Sequence, residues 1–335
     1  MIKKIELNSS ENRRLGFPMI HALLEGLTQA QGLQGRVMVM DVHDASILCN
    51  VALHEDSVLN KKSPDDKNKY ANVSLRMNRV KKVESIRIVY EEEDRGYVEM
   101  RDDGNLPIEI IMPIVSYLVF AECGYQPSDT LEWEDGSSTL KDAFVTGEFE
   151  PLTDAIIQLF PENMLQLIYY LANLGILPLS PNENPNNLQE LIHNEWYADY
   201  LLYLICQVAL GKGIVKQLPQ ENEAPNSLII GAESVLMLKE ALEESGIEGT
   251  AKTAAYNGNP IGGYTYVTKQ DANRNRHICL LGYYPVDNPK YGILVWLQRK
   301  EQIQDLVRTE WPELGEYAAE VCKRIIEILY DPKIK

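Results

Sequence analysis

Apolar residues recur along the chain with two periods, and the order of those periods outlines a fold. "PMIHALLEGLTQAQ" (residues 18–31) has helical apolar spacing after a proline start. "GRVMVMDVHDASILCNVAL" (35–53) then gives two β-branched and apolar runs about a "DVHDAS" turn, which predicts a strand pair. A polar loop is expected over 55–72, and "ESIRIVYEEEDRGYVEM" (84–100) predicts a hairpin or a strand with a charged tip. "PIEIIMPIVSYLVFAE" (107–122) predicts a buried helix with proline near its start, too short to cross a bilayer.

The stretch 125–150 is expected to be loop-rich. Helices are expected at "LTDAIIQLF", "NMLQLIYYLANLG" and "NEWYADYLLYLICQVALG", with a Pro- and Asn-rich loop before the last. "ESVLMLKEALEES" predicts a further helix, followed by strands at Ile261–Lys269, His277–Tyr284 and Tyr291–Gln298 and a closing helix at Leu314–Tyr330. Strands at both ends of a helical middle imply an α+β fold: one antiparallel sheet built from both chain ends, flanked by helices, with a helical subdomain. The expected organisation is a single domain over 1–335, with a sheet subdomain about 1–60 and 230–335 and a mainly helical one about 105–225.

Composition narrows the function. The 335 residues are 45% hydrophobic, enough for a large core, and the net charge of −17 argues against a nucleic-acid partner. "RVKK" (79–82) and the acidic run after it read as a solvated face. No apolar run is long enough for a transmembrane segment, and the N-terminus has no signal-peptide core. The five cysteines are scattered in apolar contexts and read as buried free thiols. His43 and His54 have no partner at ligand spacing, so neither a metal nor a cofactor is expected.

"GTAKTAAYNGNPIGGYTYVTK" (249–269) brings in chemistry. A helix runs into Gly249-Thr250-Ala251, and Pro260-Ile261-Gly262-Gly263 opens a strand. "LLGYYPVDNPKYGILVWL" (280–297) and "GEYAAEVCKRIIEILY" (315–330) complete the pattern. Together these stretches resemble the transpeptidase domain of penicillin-binding proteins, in the serine β-lactamase-like superfamily. In that family a helix ends in Gly-Thr-Ala and Pro-Val/Ile-Ala-Gly leads into Lys-Thr-Gly on the third strand. The resemblance extends from about Gly35 onward. Residues 35–53 are similar to the first two strands and 107–131 to the nucleophile helix and its following loop; residues 61–101 fit poorly and read as an insertion.

The family's catalytic motifs do not survive this alignment. Ser-x-x-Lys falls on Glu109 to Met112, Ser-x-Asn on Pro161-Glu162-Asn163 within one residue, and Lys-Thr-Gly on Tyr264-Thr265-Tyr266. The family's serine is the acyl acceptor and its lysine removes the proton. Glu109 and Met112 offer neither an activated hydroxyl nor an amine, Tyr264 carries no positive charge, and Tyr266 crowds the strand edge. The resemblance therefore implies a degenerate member with a binding or scaffolding role in cell-wall assembly, its partners cell-wall synthesis proteins or a peptidoglycan-related ligand. It implies an extracytoplasmic location if a membrane anchor precedes the chain, and a cytoplasmic one otherwise.

Three alternatives stay open on sequence. Ser138-x-x-Lys141, with Ser180 to Asn182 and Lys252 to Ala254, spells displaced motifs of an active D,D-transpeptidase, carboxypeptidase or β-lactamase, although Ser138 sits in a polar context. A second register puts Ile247 and Glu248 at the strand lysine and threonine. The chain is otherwise an unrelated α+β interaction protein. Glu109 opposite Tyr264 and Tyr266 across a cleft is the geometry to be tested.

Overall fold

The computed structural model describes residues 33–53, 85–88, 98–101, 108–163, 198–215, 228–268, 275–300 and 311–330. The helices expected over 18–31 and most of 163–175, His54, the 79–82 patch and the loop with Ser180 and Asn182 lie outside them.

The strand pair at the start and the three strands near the end form one sheet. β1 (Leu33–Asp41), β2 (Ile47–Leu53), β9 (Gly262–Val267), β10 (Asn275–Tyr284) and β11 (Tyr291–Lys300) run in the order β2-β1-β11-β10-β9. Every pairing is antiparallel. Local turns join β1 to β2 and β10 to β11, whereas β1 meets β11 only through the fold, with Val37 opposite Val295. The β1–β2 turn is held by Asp41, whose carboxylate accepts from the amides of His43 and Asp44. His43 is exposed there, and no metal-holding cluster occurs among the described residues.

Period-two alternation gives the sheet two apolar faces. Val37, Val39, Ile293 and Val295 point to one side, where α6 (Trp311–Tyr330) covers them with Ala318, Cys322, Ile325 and Leu329. Met38, Met40, Leu281 and Leu294 point to the other. There they meet α1 (Met112–Glu122), α2 (Leu140–Thr146), α3 (Phe149–Leu159), α4 (Ala198–Ala209) and α5 (Ala232–Ile247).

Two expectations need correction. The helix expected from Pro107 is split: Ile108–Ile110 is a 3₁₀ turn and α1 starts at Met112, with Pro113 in its first turn. The stretch 125–150 is ordered by a hairpin, β5 (Thr130–Trp133) with β6 (Gly136–Thr139), and then by α2. Ser138 thus lies on a strand opposite Leu131. The 84–100 hairpin forms as β3 (Ser85–Ile88) with β4 (Val98–Arg101), and β7 (Ile214–Val215) pairs with β8 (Leu228–Ile230).

Candidate functional site

Tyr264 reaches the chain just ahead of α1. Proline has no N–H, so Pro113 supplies no backbone donor to the turn that precedes it. The α1 ladder opens with the Val115 amide on the Ile111 carbonyl. The Ile110 carbonyl therefore stands ahead of the ladder, and the Tyr264 hydroxyl donates to it. Both residues are buried, Tyr264 with 1% exposure. The phenol replaces a backbone donor that a buried carbonyl requires.

Aromatic rings fill the surroundings. Phe144 of α2 and Phe149 of α3 each lie 5.6 Å from the Tyr264 ring, and Phe144 also packs edge-on against Tyr117 of α1 at 5.4 Å. Tyr266 joins from β9, its ring 5.6 Å from that of Phe149. These separations lie within the range of favourable aromatic pairs. Burial drives the Tyr264 phenol well above its ordinary range, with Cys279 and Tyr266 adding to the shift. The Tyr266 phenol is raised by burial first and then by the Glu150 and Glu109 carboxylates. Both hydroxyls are protonated at neutral pH.

Glu109 is exposed on the 3₁₀ turn, while Met112 is buried in the core. Tyr264 and the residue after Glu109 are in direct contact where a cleft was expected. The segment expected at the Ser-x-Asn motif is not brought to them. Pro161, Glu162 and Asn163 are exposed, and the Asn163 amide donates to the Cys123 thiol at 2.8 Å. Cys123 follows the C-terminal end of α1, an 11-residue helix about 16 Å long, and Ile110 precedes its start.

The displaced motif also comes apart. Thr139, between Ser138 and Lys141, caps α2 by accepting from the Asp142 amide at 3.0 Å. Ser138 therefore precedes the helix and does not share a helical face with Lys141. The Lys141 ammonium sits 2.8 Å from Glu244 of α5, and that hydrogen bond raises its pKa, the wrong direction for a general base. Lys252 lies exposed on a 3₁₀ turn, Lys252–Ala254. The second register fails as well: Ile247 is the last residue of α5 and Glu248 its C-cap, so neither is on a strand.

Sequence reasoning quoted Thr250 only as part of a frame, but it joins three elements. Its amide donates to the Val145 carbonyl at 3.3 Å, its hydroxyl accepts from the Thr265 amide at 3.1 Å, and its carbonyl accepts from the Thr265 hydroxyl at 3.0 Å. Phe144 and Phe149 were missed too, because they fall in the stretch read as loop. For Phe144 the helical signal was present in "LKDAFV" after the Thr139 cap, whereas Phe149 opens α3 directly ahead of the stretch read as helical.

This arrangement of sheet and helices is the transpeptidase fold of penicillin-binding proteins, an α+β architecture. The transpeptidase domain of the FtsI4 D,D-transpeptidase from Legionella pneumophila matches with a TM-score of 0.58 at 13% identity, over 96% of this chain and 99% of that one. The transpeptidase domain of penicillin-binding protein 3 from Burkholderia pseudomallei matches at 0.59 and 12% identity, over 96% and 94%. A Burkholderia ambifaria protein described as a peptidoglycan glycosyltransferase matches at 0.56 and 12%, over 98% and 96%. Neither a protein-family model nor a curated protein sequence matches the chain. The match agrees with the α+β transpeptidase-like fold expected from sequence. No helix among the described residues is long and apolar enough to cross a membrane.

Proposed function

We propose that this chain is a catalytically inactive transpeptidase-like domain with a binding or scaffolding role in cell-wall assembly. Its partners are cell-wall synthesis proteins or a peptidoglycan-related ligand. One observation carries the reading. At the position where the resemblance puts a substrate-holding lysine, Tyr264 is buried among aromatic rings and committed to the Ile110 carbonyl.

Acyl transfer of this type needs an activated hydroxyl, a base to take its proton and cationic or hydroxyl groups for the substrate carboxylate. Glu109 and Met112 supply neither of the first two, and the Tyr264 phenol supplies no charge. Proton transfer alone is worth about 10²–10⁴ in rate, and loss of the nucleophile removes the covalent route itself. Incubation with a fluorescent penicillin is expected to leave no stable adduct, and nitrocefin is expected to remain unhydrolysed above background. The double variant Glu109→Ser/Met112→Lys is expected to stay unreactive, since Tyr264 and Tyr266 still fill the carboxylate position. One penicilloyl group per chain by mass spectrometry overturns the proposal, and a label mapped to Ser138 assigns the activity to the displaced motif.

A further inference from the structure

The chain has one Asn-Gly pair, Asn257-Gly258, in the connection between α5 and β9. Tyr256 and Asn259 flank it and exchange both backbone hydrogen bonds, at 3.0 and 2.9 Å. Both central residues have positive φ, +50° for Asn257 and +78° for Gly258, which makes this a type I′ turn. Asparagine and glycine tolerate left-handed backbone better than other residues, so the turn by itself accounts for the pair. The pair also carries chemistry, because asparagine is a thermolabile residue.

Both reacting groups are open. Asn257 and Gly258 are exposed, and a Cβ added at Gly258 would meet no atom within 4 Å. Among the described residues neither the Asn257 carboxamide nor the Gly258 amide has a hydrogen-bond partner. The Asn259 side chain donates to the Asn257 backbone carbonyl instead, at 3.5 Å. The other described asparagines are placed differently. Asn259 and Asn288 precede Pro260 and Pro289, whose nitrogens carry no hydrogen and cannot close the same neutral ring. Asn50 is buried on β2, and Asn163 and Asn275 are followed by the bulky Met164 and Arg276.

We propose that Asn257 is a self-modification site whose reaction is gated by the turn. The Gly258 nitrogen attacks the side-chain carbonyl carbon of Asn257. A C–N bond forms, the N–H proton is given up and the carboxamide nitrogen departs as ammonia. Water then opens the five-membered succinimide at either carbonyl, giving aspartate or isoaspartate. The net change is asparagine plus water to an acid plus ammonia, with no redox step. Ring closure needs the Gly258 nitrogen and the Asn257 Cβ on the same side of the Cα–C bond. The type I′ turn holds them apart, so it has to open first against its two backbone hydrogen bonds. Either product adds a negative charge to the loop that leads into Gly262 and Tyr264. Isoaspartate also lengthens the backbone by one methylene, which breaks the register between Asn259 and Tyr256, a residue packed against the α6-side core. The site is independent of the noncatalytic role proposed above.

The test is storage of the full chain at mildly alkaline pH for several weeks, folded and in urea, followed by trypsin and peptide mass spectrometry. The tryptic peptide Thr253–Lys269 holds Asn257 and Asn259 together, so the second is an internal control for the first. In the folded chain the amide-to-acid mass change is expected at Asn257 as two chromatographic products, one identified as isoaspartate by its fragmentation. Asn259 is expected to stay an amide. Conversion is expected to be on the order of tenfold to a hundredfold slower in the folded chain than in urea, because two net hydrogen bonds resist opening. Asn257→Gln would need a six-membered ring and is expected to lose the conversion at that position in both conditions. Any of four results overturns the proposal. They are a folded chain still unconverted at Asn257 once the urea sample has reacted, aspartate without isoaspartate, conversion of Asn163, Asn259 or Asn275 as fast as Asn257 in the folded chain, or equal rates folded and in urea. The wild-type measurements decide the matter even if the variant does not fold. Penicillin labelling reads a different event and leaves this result in place.

Discussion

At the scale of single residues, the decisive contact joins a side chain to a backbone atom. The resemblance proposed from sequence puts Tyr264 at the lysine position, but the Ile110 carbonyl has no letter in the sequence, so its need for a donor stays hidden until Pro113 is placed in the first turn of α1. Tyr264→Phe keeps the ring and removes the hydroxyl, leaving a buried carbonyl without its donor. The expected loss is about 1–3 kcal/mol, the usual penalty for an unsatisfied buried polar group. It should lower the urea midpoint with an unchanged slope. Tyr264→Lys introduces the residue type the proposed resemblance expects there but puts an ammonium against Phe144 and Phe149. Burying an unpaired charge costs far more than losing one hydrogen bond, so this variant is expected to be less stable than Tyr264→Phe. An equal midpoint for wild type and Tyr264→Phe would show that the hydroxyl bond contributes nothing.

At the scale of elements, legibility follows burial. β1, β10 and β11 are buried on both faces and read as strands from their continuous β-branched and apolar runs. β5 and β6 escaped notice because Leu131 is their only buried residue. The "EDG" turn between them was visible, but a two-residue turn without flanking alternation is weak evidence for a hairpin. The same reasoning explains the stretch after it, where the cap Thr139 was passed over. Glycines are harder to interpret from sequence, and Gly246 shows why. Gly246 lies in the last turn of α5, where alanine is preferred over glycine by at most about 1 kcal/mol on helix propensity alone. The Ile261 carbonyl oxygen, 1.6 Å from where the new Cβ would lie, opposes that gain with a backbone collision. The collision wins. Gly246→Ala is expected to lose more than about 4 kcal/mol, in the exceptional range for one substitution, and to fail to accumulate as folded protein. A variant as stable as wild type by thermal unfolding would mean that α5 and β9 can separate without loss.

At the scale of the whole molecule, both faces of the sheet carry buried tyrosines, and their ionisation ties stability to pH. Tyr117 on α1, Tyr264 and Tyr266 on β9, Tyr283 on β10 and Tyr330 on α6 all have phenols raised above the ordinary value, burial being the first cause in each. For Tyr283 the Glu243 carboxylate adds to the shift through its charge and a 3.0 Å hydrogen bond accepted from the phenol. In the unfolded chain these groups release protons near pH 10, about the free tyrosine value. Above that pH the folded state still holds protons that the unfolded state has given up. Stability is then lost as pH rises, because the slope follows protons bound unfolded minus protons bound folded, which is negative here. Below pH 10 both states keep the phenols protonated, and these groups contribute no pH dependence. The expected behaviour is therefore a flat response of the urea midpoint to pH through neutrality from the tyrosines, followed by a cooperative alkaline transition. Phenolate absorbance from the buried tyrosines should appear together with loss of far-ultraviolet circular dichroism, since ionisation requires the two cores to open. The helical-side cluster and the α6 side should give way together, because the sheet they share is one antiparallel unit from β2 to β9. Phenolate absorbance reaching its full amplitude while the dichroism stays native would show that these rings are open to solvent, against the aromatic packing described around Tyr264.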